Sequence, residues 1–287
     1  QISLGDPRSW KGPVLAHGGD PQALRRAAAD AGLALVVHAP FVINVASTNN
    51  RIRVPSRRLL QRHVDMAAEL GALGVVVHGG HVTAEDDPGA GYENWAKAVA
   101  GLDAAVPILI ENTAGGRHAM ARRLESIDRL WTALAAVDGG DRVGFCLDTC
   151  HAHGAGLGLD GLVDRVRAIT GRIDLVHAND SRDEPGTGAD RHANLGRGLA
   201  DAGAIAHVRD EDGGALRLVL LQDPDPDADR DRDQDSGTTP PAPDDPPTEG
   251  VREAVDLVSA DRAGLAASLA RILTGAWVAA DLRAARA

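Results

Sequence analysis

The chain has 287 residues, 44% of them hydrophobic and 25% charged, with a formal charge of −11. That is globular composition with apolar material for a sizeable core; no apolar run reaches 18 residues, so no membrane span is expected, and no charged segment followed by an apolar one marks a secreted precursor. Two cysteines, Cys146 and Cys150, exclude a disulfide scaffold and fit a reducing cytosol.

In chain order, the first element is a strand at Ile2-Ser3-Leu4, ending near Gly5. Six further short apolar runs follow, each closed by a polar residue: His38, His78, Glu111, Asp148, His177 and Gln222. Successive ends are 40, 33, 37, 29 and 45 residues apart, the size of a strand-helix-strand unit with its loops. Runs apolar on both faces suit a parallel sheet. Amphipathic stretches lie between and after them: 56–70, with Ser56 as N-cap and Gly71 as stop, then 119–136 and 251–273. Polar residues always at the C-terminal strand end predict an α/β fold of the (β/α)₈ TIM barrel class rather than a doubly wound sheet. An eighth strand is not legible, and the barrel is expected to lack its first.

The charge is uneven. Residues 223–250 hold ten acids against Arg230 and Arg232, a local −8 that leaves −3 for the rest, together with seven prolines. With almost nothing apolar to bury, this segment is expected to be a disordered acidic insertion. The domain plan is therefore a barrel over 1–222, the insertion over 223–250 and a helical segment over 251–287. A body close to neutral does not exclude a nucleic-acid partner.

Chemistry concentrates at the strand ends and just beyond: His38, His78, Glu111, Asp148, His151, His177, Asp190 and His192. Five imidazoles and three carboxylates aimed at one face form a ligand set for borderline divalent metals, zinc above all. Asp148 and His151 share one side of a helical turn or tight loop, and Asp190 and His192 one face of an extended loop. A single histidine at a loop start is ordinary; eight such residues at equivalent positions of a repeated unit exceed one tetrahedral site and suggest two or three metals.

The same residues sit in motifs. His38-Ala39-Pro40-Phe41-Val42-Ile43-Asn44, Val77-His78-Gly79-Gly80-His81 and Ile110-Glu111-Asn112-Thr113-Ala114-Gly115 resemble the zinc-dependent AP endonucleases of the endonuclease IV family. So do Leu147-Asp148-Thr149-Cys150-His151, His177-Ala178-Asn179-Asp180-Ser181 and Asp190-Arg191-His192-Ala193-Asn194-Leu195-Gly196. The resemblance implies a TIM barrel with three zinc ions, cleaving double-stranded DNA on the 5′ side of abasic sites in base excision repair. It implies His38 and His78 on the first zinc, with Glu111 bridging the first and second. Asp148 and His177 would serve the second, and His151, Asp190 and His192 the third. Arg8, Phe41 and Val42 resemble the elements that wedge into damaged DNA, packing at the barrel rim being the alternative for Phe41 and Val42. Glu111 and the residue closing the last strand would be catalytic. That residue is Gln222 where the family carries a glutamate, so a weaker ligand and slowed turnover are expected, unless a register shift of one brings in Asp223.

The remaining candidates are plainer. His81 fits either ligand orientation or a loop hydrogen bond. His118 and His153 read as loop residues; His17, His63 and His207 as exposed; Cys146 as a buried strand residue and Cys150 as a loop thiol. Trp10, Trp95, Trp131 and Trp277 lack base-stacking spacing, so packing is expected. Three functions compete: a monomeric cytoplasmic repair nuclease, a metal-dependent sugar isomerase or epimerase on a related barrel, and a non-catalytic binder of abasic DNA. The Asp190–His192 element favours the first, because small aldose substrates need no third metal.

Overall fold

The computed structural model describes residues 1–15, 19–193 and 197–200, together with the backbone of three short strands further on. Seven strands form one sheet: β1 (Ile2–Ser3), β2 (Val37–His38), β3 (Val75–His78), β4 (Ile108–Glu111), β5 (Gly144–Asp148), β6 (Leu175–His177) and β9 (Leu218–Val219). They follow one another in chain order, each parallel to the next. An order that never reverses is the winding of a TIM barrel; a doubly wound sheet reverses at a switch point. Helices α1 (Pro21–Asp30), α2 (Asn50–Glu69), α3 (Pro88–Ala100), α4 (Leu124–Ala135), α5 (Thr149–Ala155) and α6 (Leu162–Thr170) fill the connections. A ribbon of β7 (Asp180–Ser181) and β8 (His192–Ala193) stands outside the sheet.

Strand periodicity explains why the site lies where it does. Val36, Val76, Leu109, Cys146 and Leu175 pack together as a small separate cluster. Each stands two residues before His38, His78, Glu111, Asp148 or His177, and residues two apart in a strand share a face. The polar residues therefore form the next layer above that cluster. The intervening residues, among them Val37, Val75, Val77, Ile110, Phe145, Leu147 and Val176, join the larger core shared with the helices. Both faces are buried, which is why the strands read as unbroken apolar runs.

Helix starts differ from the sequence reading. α2 begins at Asn50, where Asn49 accepts a hydrogen bond from the Arg51 N–H (2.9 Å). Pro55 lies within the second turn, so the apolar pattern is legible only after it. Ser56 is no cap; it is buried, and its hydroxyl accepts from the Asn44 N–H. Gly71 ends the helix as expected, at φ +65°. α4 starts at Leu124 rather than 119, because Ala119, Met120 and Ala121 are buried in the preceding loop, where Met120 N–H donates to Gly80 O. From 251 the chain forms β10 (Val251–Glu253), paired antiparallel with β11 (Trp277–Ala279), in place of helix at those positions. Gln222, the acidic segment, the rest of the 251–273 stretch, His17 and His207 lie outside the described residues.

His63 corrects another expectation. It is fully buried on α2, with Nδ1 donating to the Leu59 carbonyl (2.9 Å) and Nε2 without a hydrogen-bond partner among the described residues. Burial pushes its pKa down; the Leu59 contact opposes this and Arg62 adds to it. A folded pKa below the unfolded value means that the unfolded state takes up the proton first, so stability falls as pH drops below about 6.5. His63→Leu should remove this component. Urea unfolding at about pH 7.5 and about pH 5.5 should show a flatter dependence in the variant, by up to about 1.4 kcal/mol per pH unit below that value. Parallel profiles would overturn the assignment.

Candidate metal centre

Glu111, at the end of β4, is the hub. Its Oε2 lies 3.2 Å from His38 Nε2 and 3.3 Å from His78 Nε2; its Oε1 lies 2.8 Å from His177 Nδ1 and 3.3 Å from His151 Nδ1. One carboxylate thus faces four imidazoles from four segments. Asp148, at the end of β5, caps α5 by accepting from the His151 N–H (2.8 Å). Its Oδ2 is 3.6 Å from His177 Nδ1 and 3.8 Å from His192 Nε2. Asp190 closes the far side, with Oδ1 3.0 Å from His151 Nε2 and 3.1 Å from His192 Nε2.

All eight expected residues converge. Three overlapping groups place their ligand atoms within 4.8 Å of one another: His38, His78 and Glu111; Glu111, Asp148 and His151; His151, Asp190 and His192. Most are buried, whereas His78 and Asp190, at 23% and 50% side-chain exposure, open the first and third groups to solvent. Two similar groups include cysteines absent from the sequence-based set: Glu111–Cys146–His177 and Asp148–Cys150–His192. The signal for Cys146 was available, since it sits two residues before Asp148 on the same strand face. Burial pushes its thiol up to about 12. Cys150 is a buried residue of α5 rather than a loop thiol, and His153, also buried in α5, bonds the Asp183 carbonyl.

The surrounding shell fixes ring orientation. His38 Nδ1 reaches Ala39 O (2.7 Å), His151 Nδ1 reaches Asn112 O (2.8 Å) and His177 Nε2 reaches Gln1 Oε1 (2.8 Å). Carbonyl oxygens only accept, so each of these nitrogens carries a proton, which fixes the ring and turns its other nitrogen toward the carboxylates. Asn179 Nδ2 donates to Asp148 Oδ2 (2.7 Å), and the Asn112 side chain bonds the Asp148 backbone at both ends. Gln1, Asn112 and Asn179 were missed as orienting residues.

The electrostatics favour positive charge. Burial alone would raise Glu111, but His177 and His78 outweigh it and hold its carboxyl well below the ordinary range. Burial alone would lower His151 and His177; Asp148, Asp190 and Glu111 hold the first well above normal, while Cys146, Glu111 and Asp148 do so for the second. His192 is raised to about 10 against burial, chiefly by Asp190, then Cys150 and Asp148. Among the described residues both His192 ring nitrogens are buried without a well-formed hydrogen bond, Nε2 having only the ion-pair contacts with Asp190 and Asp148. An orphaned imidazole among carboxylates suits a cation better than another hydrogen bond, so the donor set fits borderline divalent metal.

Around the mouth, the Phe41 ring is 54% exposed and stacks on His78 at 5.5 Å, with its edge toward His38 at 5.4 Å. Its N–H donates to Pro7 O (2.8 Å), joining it to the loop that carries exposed Arg8. Val42 is partly buried against the core. His81 is held through its backbone by the Asn44 side chain, and the His118 ring bonds Thr83 O. Trp95 is buried, with its indole N–H on Gly79 O, and Trp131 packs on Phe145.

Residues 6–220 match the model of the xylose isomerase-like TIM barrel family. A protein of Mycobacterium leprae (strain Br4923) named probable endonuclease 4 is 55% identical over 202 residues, 70% of this chain and 76% of its own length. The crystal structure of endonuclease IV from Thermus thermophilus superposes with a TM-score of 0.62 at 29% identity, covering 80% of this chain and 85% of that one. A D-tagatose 3-epimerase-like protein superposes with a TM-score of 0.59 at 23% identity, over 70% of this chain and 75% of its own, a likeness of fold alone.

Proposed function

The chain belongs to the endonuclease IV proteins of the xylose isomerase-like TIM barrel family, and we propose that it cleaves double-stranded DNA on the 5′ side of abasic sites, as a repair nuclease with three zinc ions. The observation that carries the reading is the third ligand group. His151, Asp190 and His192 extend the cluster beyond what a one- or two-metal sugar epimerase requires.

His38, His78 and Glu111 would hold one ion, Glu111, Asp148 and His177 a second, and His151, Asp190 and His192 the third. Bound there, the ions would supply a hydroxide nucleophile at neutral pH and charge neutralisation at a phosphoryl centre. The chain's own residues prepare that chemistry. Glu111 joins two of the groups through its two oxygens, and Asp148 is fixed by its cap on α5 and by Asn179. Gln1, Asn112 and Ala39 set the histidine tautomers. Phe41 presents an apolar face above His38 and His78, where a distorted duplex would meet the rim. Arg8, on the adjoining loop, offers a cation to the same strand. A bacterial cytoplasmic monomer remains part of this reading; among the described residues no helix is long and apolar enough to cross a membrane.

Elemental analysis of the purified chain is expected to give about three zinc equivalents, falling to about two in Asp190→Asn. An abasic duplex should be nicked and an intact duplex of the same sequence left whole. One metal or none would overturn the trinuclear reading. Aldose–ketose conversion without nicking would favour the epimerase, and tight binding without nicking a non-catalytic binder.

A further inference from the structure

The arginines of α2 divide into two kinds. Arg53 and Arg57 are structural: Arg53 donates to the carbonyls of Ser47 and Thr48 (2.7 and 2.9 Å), and Arg57 to that of Asn94 (2.6 Å). Arg51, Arg58 and Arg62 are exposed, and no guanidinium among them forms a hydrogen bond or ion pair with a described residue. With Pro55 they stand at steps of four, three and four, along one face of the helix. That face lines a groove of about 380 Å³ whose other wall is Trp10, 44% exposed on the loop after β1.

Three unpaired guanidiniums and one indole face, with no acid lining the groove, suit a ligand bearing several phosphates and flat rings. From Arg51 to Arg62 the helix rises about 16 Å. At about 3.4 Å of duplex axis per phosphate on one strand, this matches about five nucleotides. The groove also starts at the right place. The N-terminal end of α2 follows β2, which ends in His38, and the Trp10 loop is tied through Pro7 O to Phe41, which stacks on His78. From that rim the stripe runs down the side of the barrel with the helix. A chain of charge −11 also needs a local positive surface to hold a polyanion.

We propose that the groove between Trp10 and the Arg51–Arg58–Arg62 face of α2 binds the phosphodiester backbone of the DNA strand that leaves the cleavage site, several nucleotides from the bond cut. This inference rests on the reading of the chain as a DNA nuclease. The arginines supply sequence-independent phosphate contacts, and Trp10 packs on a flanking sugar or base.

The test is the salt dependence of affinity for an abasic duplex of about 30 base pairs, a length chosen to exceed the five nucleotides matched to the stripe. It compares the full chain with its Arg51→Ala/Arg58→Ala/Arg62→Ala variant. At about 0.9 per phosphate contact, the slope of log K against log salt should fall by about 2.7. Between about 50 and about 200 mM salt the parent should then lose about fortyfold more affinity than the variant. Zinc content and nicking at saturating protein should not change, since none of the three touches the metal groups. The three single variants should each lower the slope by about one, and Lys substitutions should restore it, because a point charge suffices. Equal slopes for parent and triple variant, with both still nicking, would overturn the groove and leave the nuclease reading standing. A parent that does not nick abasic DNA would overturn that reading instead.

Discussion

Glu111→Gln should lower nicking of abasic DNA by at least about 10³-fold while leaving the barrel folded. The exchange is nearly isosteric, so the buried site keeps its volume. What changes is charge and hydrogen-bond sense: one oxygen facing either His38 and His78 or His151 and His177 becomes an amide that donates where a lone pair is needed. The first and second groups both depend on this carboxylate, so two of about three zinc equivalents should be lost with it, and the third should remain on His151, Asp190 and His192. Removing several kcal/mol of transition-state charge stabilisation, taken as about 4, gives the 10³. Elemental analysis and single-turnover nicking check the two halves separately. A variant that nicks within tenfold of the parent would show that Glu111 is structural.

The site was legible because the barrel repeats itself. The same position of each unit, the C-terminal end of an apolar run, carries His38, His78, Glu111, Asp148 and His177, and the sheet stacks those positions into one layer. His151, Asp190 and His192 lie in the short segments just beyond, where a helix cap and an extended ribbon fix them locally. What escaped the sequence depends on distant partners. Gln1 orients a ring 176 positions away, and His63 is buried by packing rather than by its own segment. The groove escaped for a local reason. Starting α2 at Ser56 left Arg51 outside the helix and broke a stripe that becomes continuous only when the helix runs through Pro55.

Gln222→Glu is expected to raise nicking at least about tenfold. β9 lies beside β6, with Val219 paired to His177, and Gln222 follows three positions later, beyond the described residues. The motif resemblance to the endonuclease IV family implies a glutamate at position 222, where it would add negative charge to the proposed second metal group and accept a proton from water. A glutamine does neither, since its oxygen is a weak ligand and its nitrogen only donates. Loss of a positioned general base costs about 10²–10⁴ in rate, so tenfold is a cautious floor for restoring one. Affinity for abasic DNA should change little, because the other ligands and the rim are untouched. Adjacent residues of a strand face opposite ways, which makes Gln222 and Asp223 alternatives rather than partners. Asp223→Asn therefore serves as the second arm. If Gln222→Glu leaves the rate unchanged and Asp223→Asn reduces it by about 10²-fold or more, the native carboxylate is Asp223 and the strand runs one residue out of the expected register. If the first raises the rate and the second does not lower it, the chain carries an impaired version of its family's site, and the acid missing at 222 is the impairment.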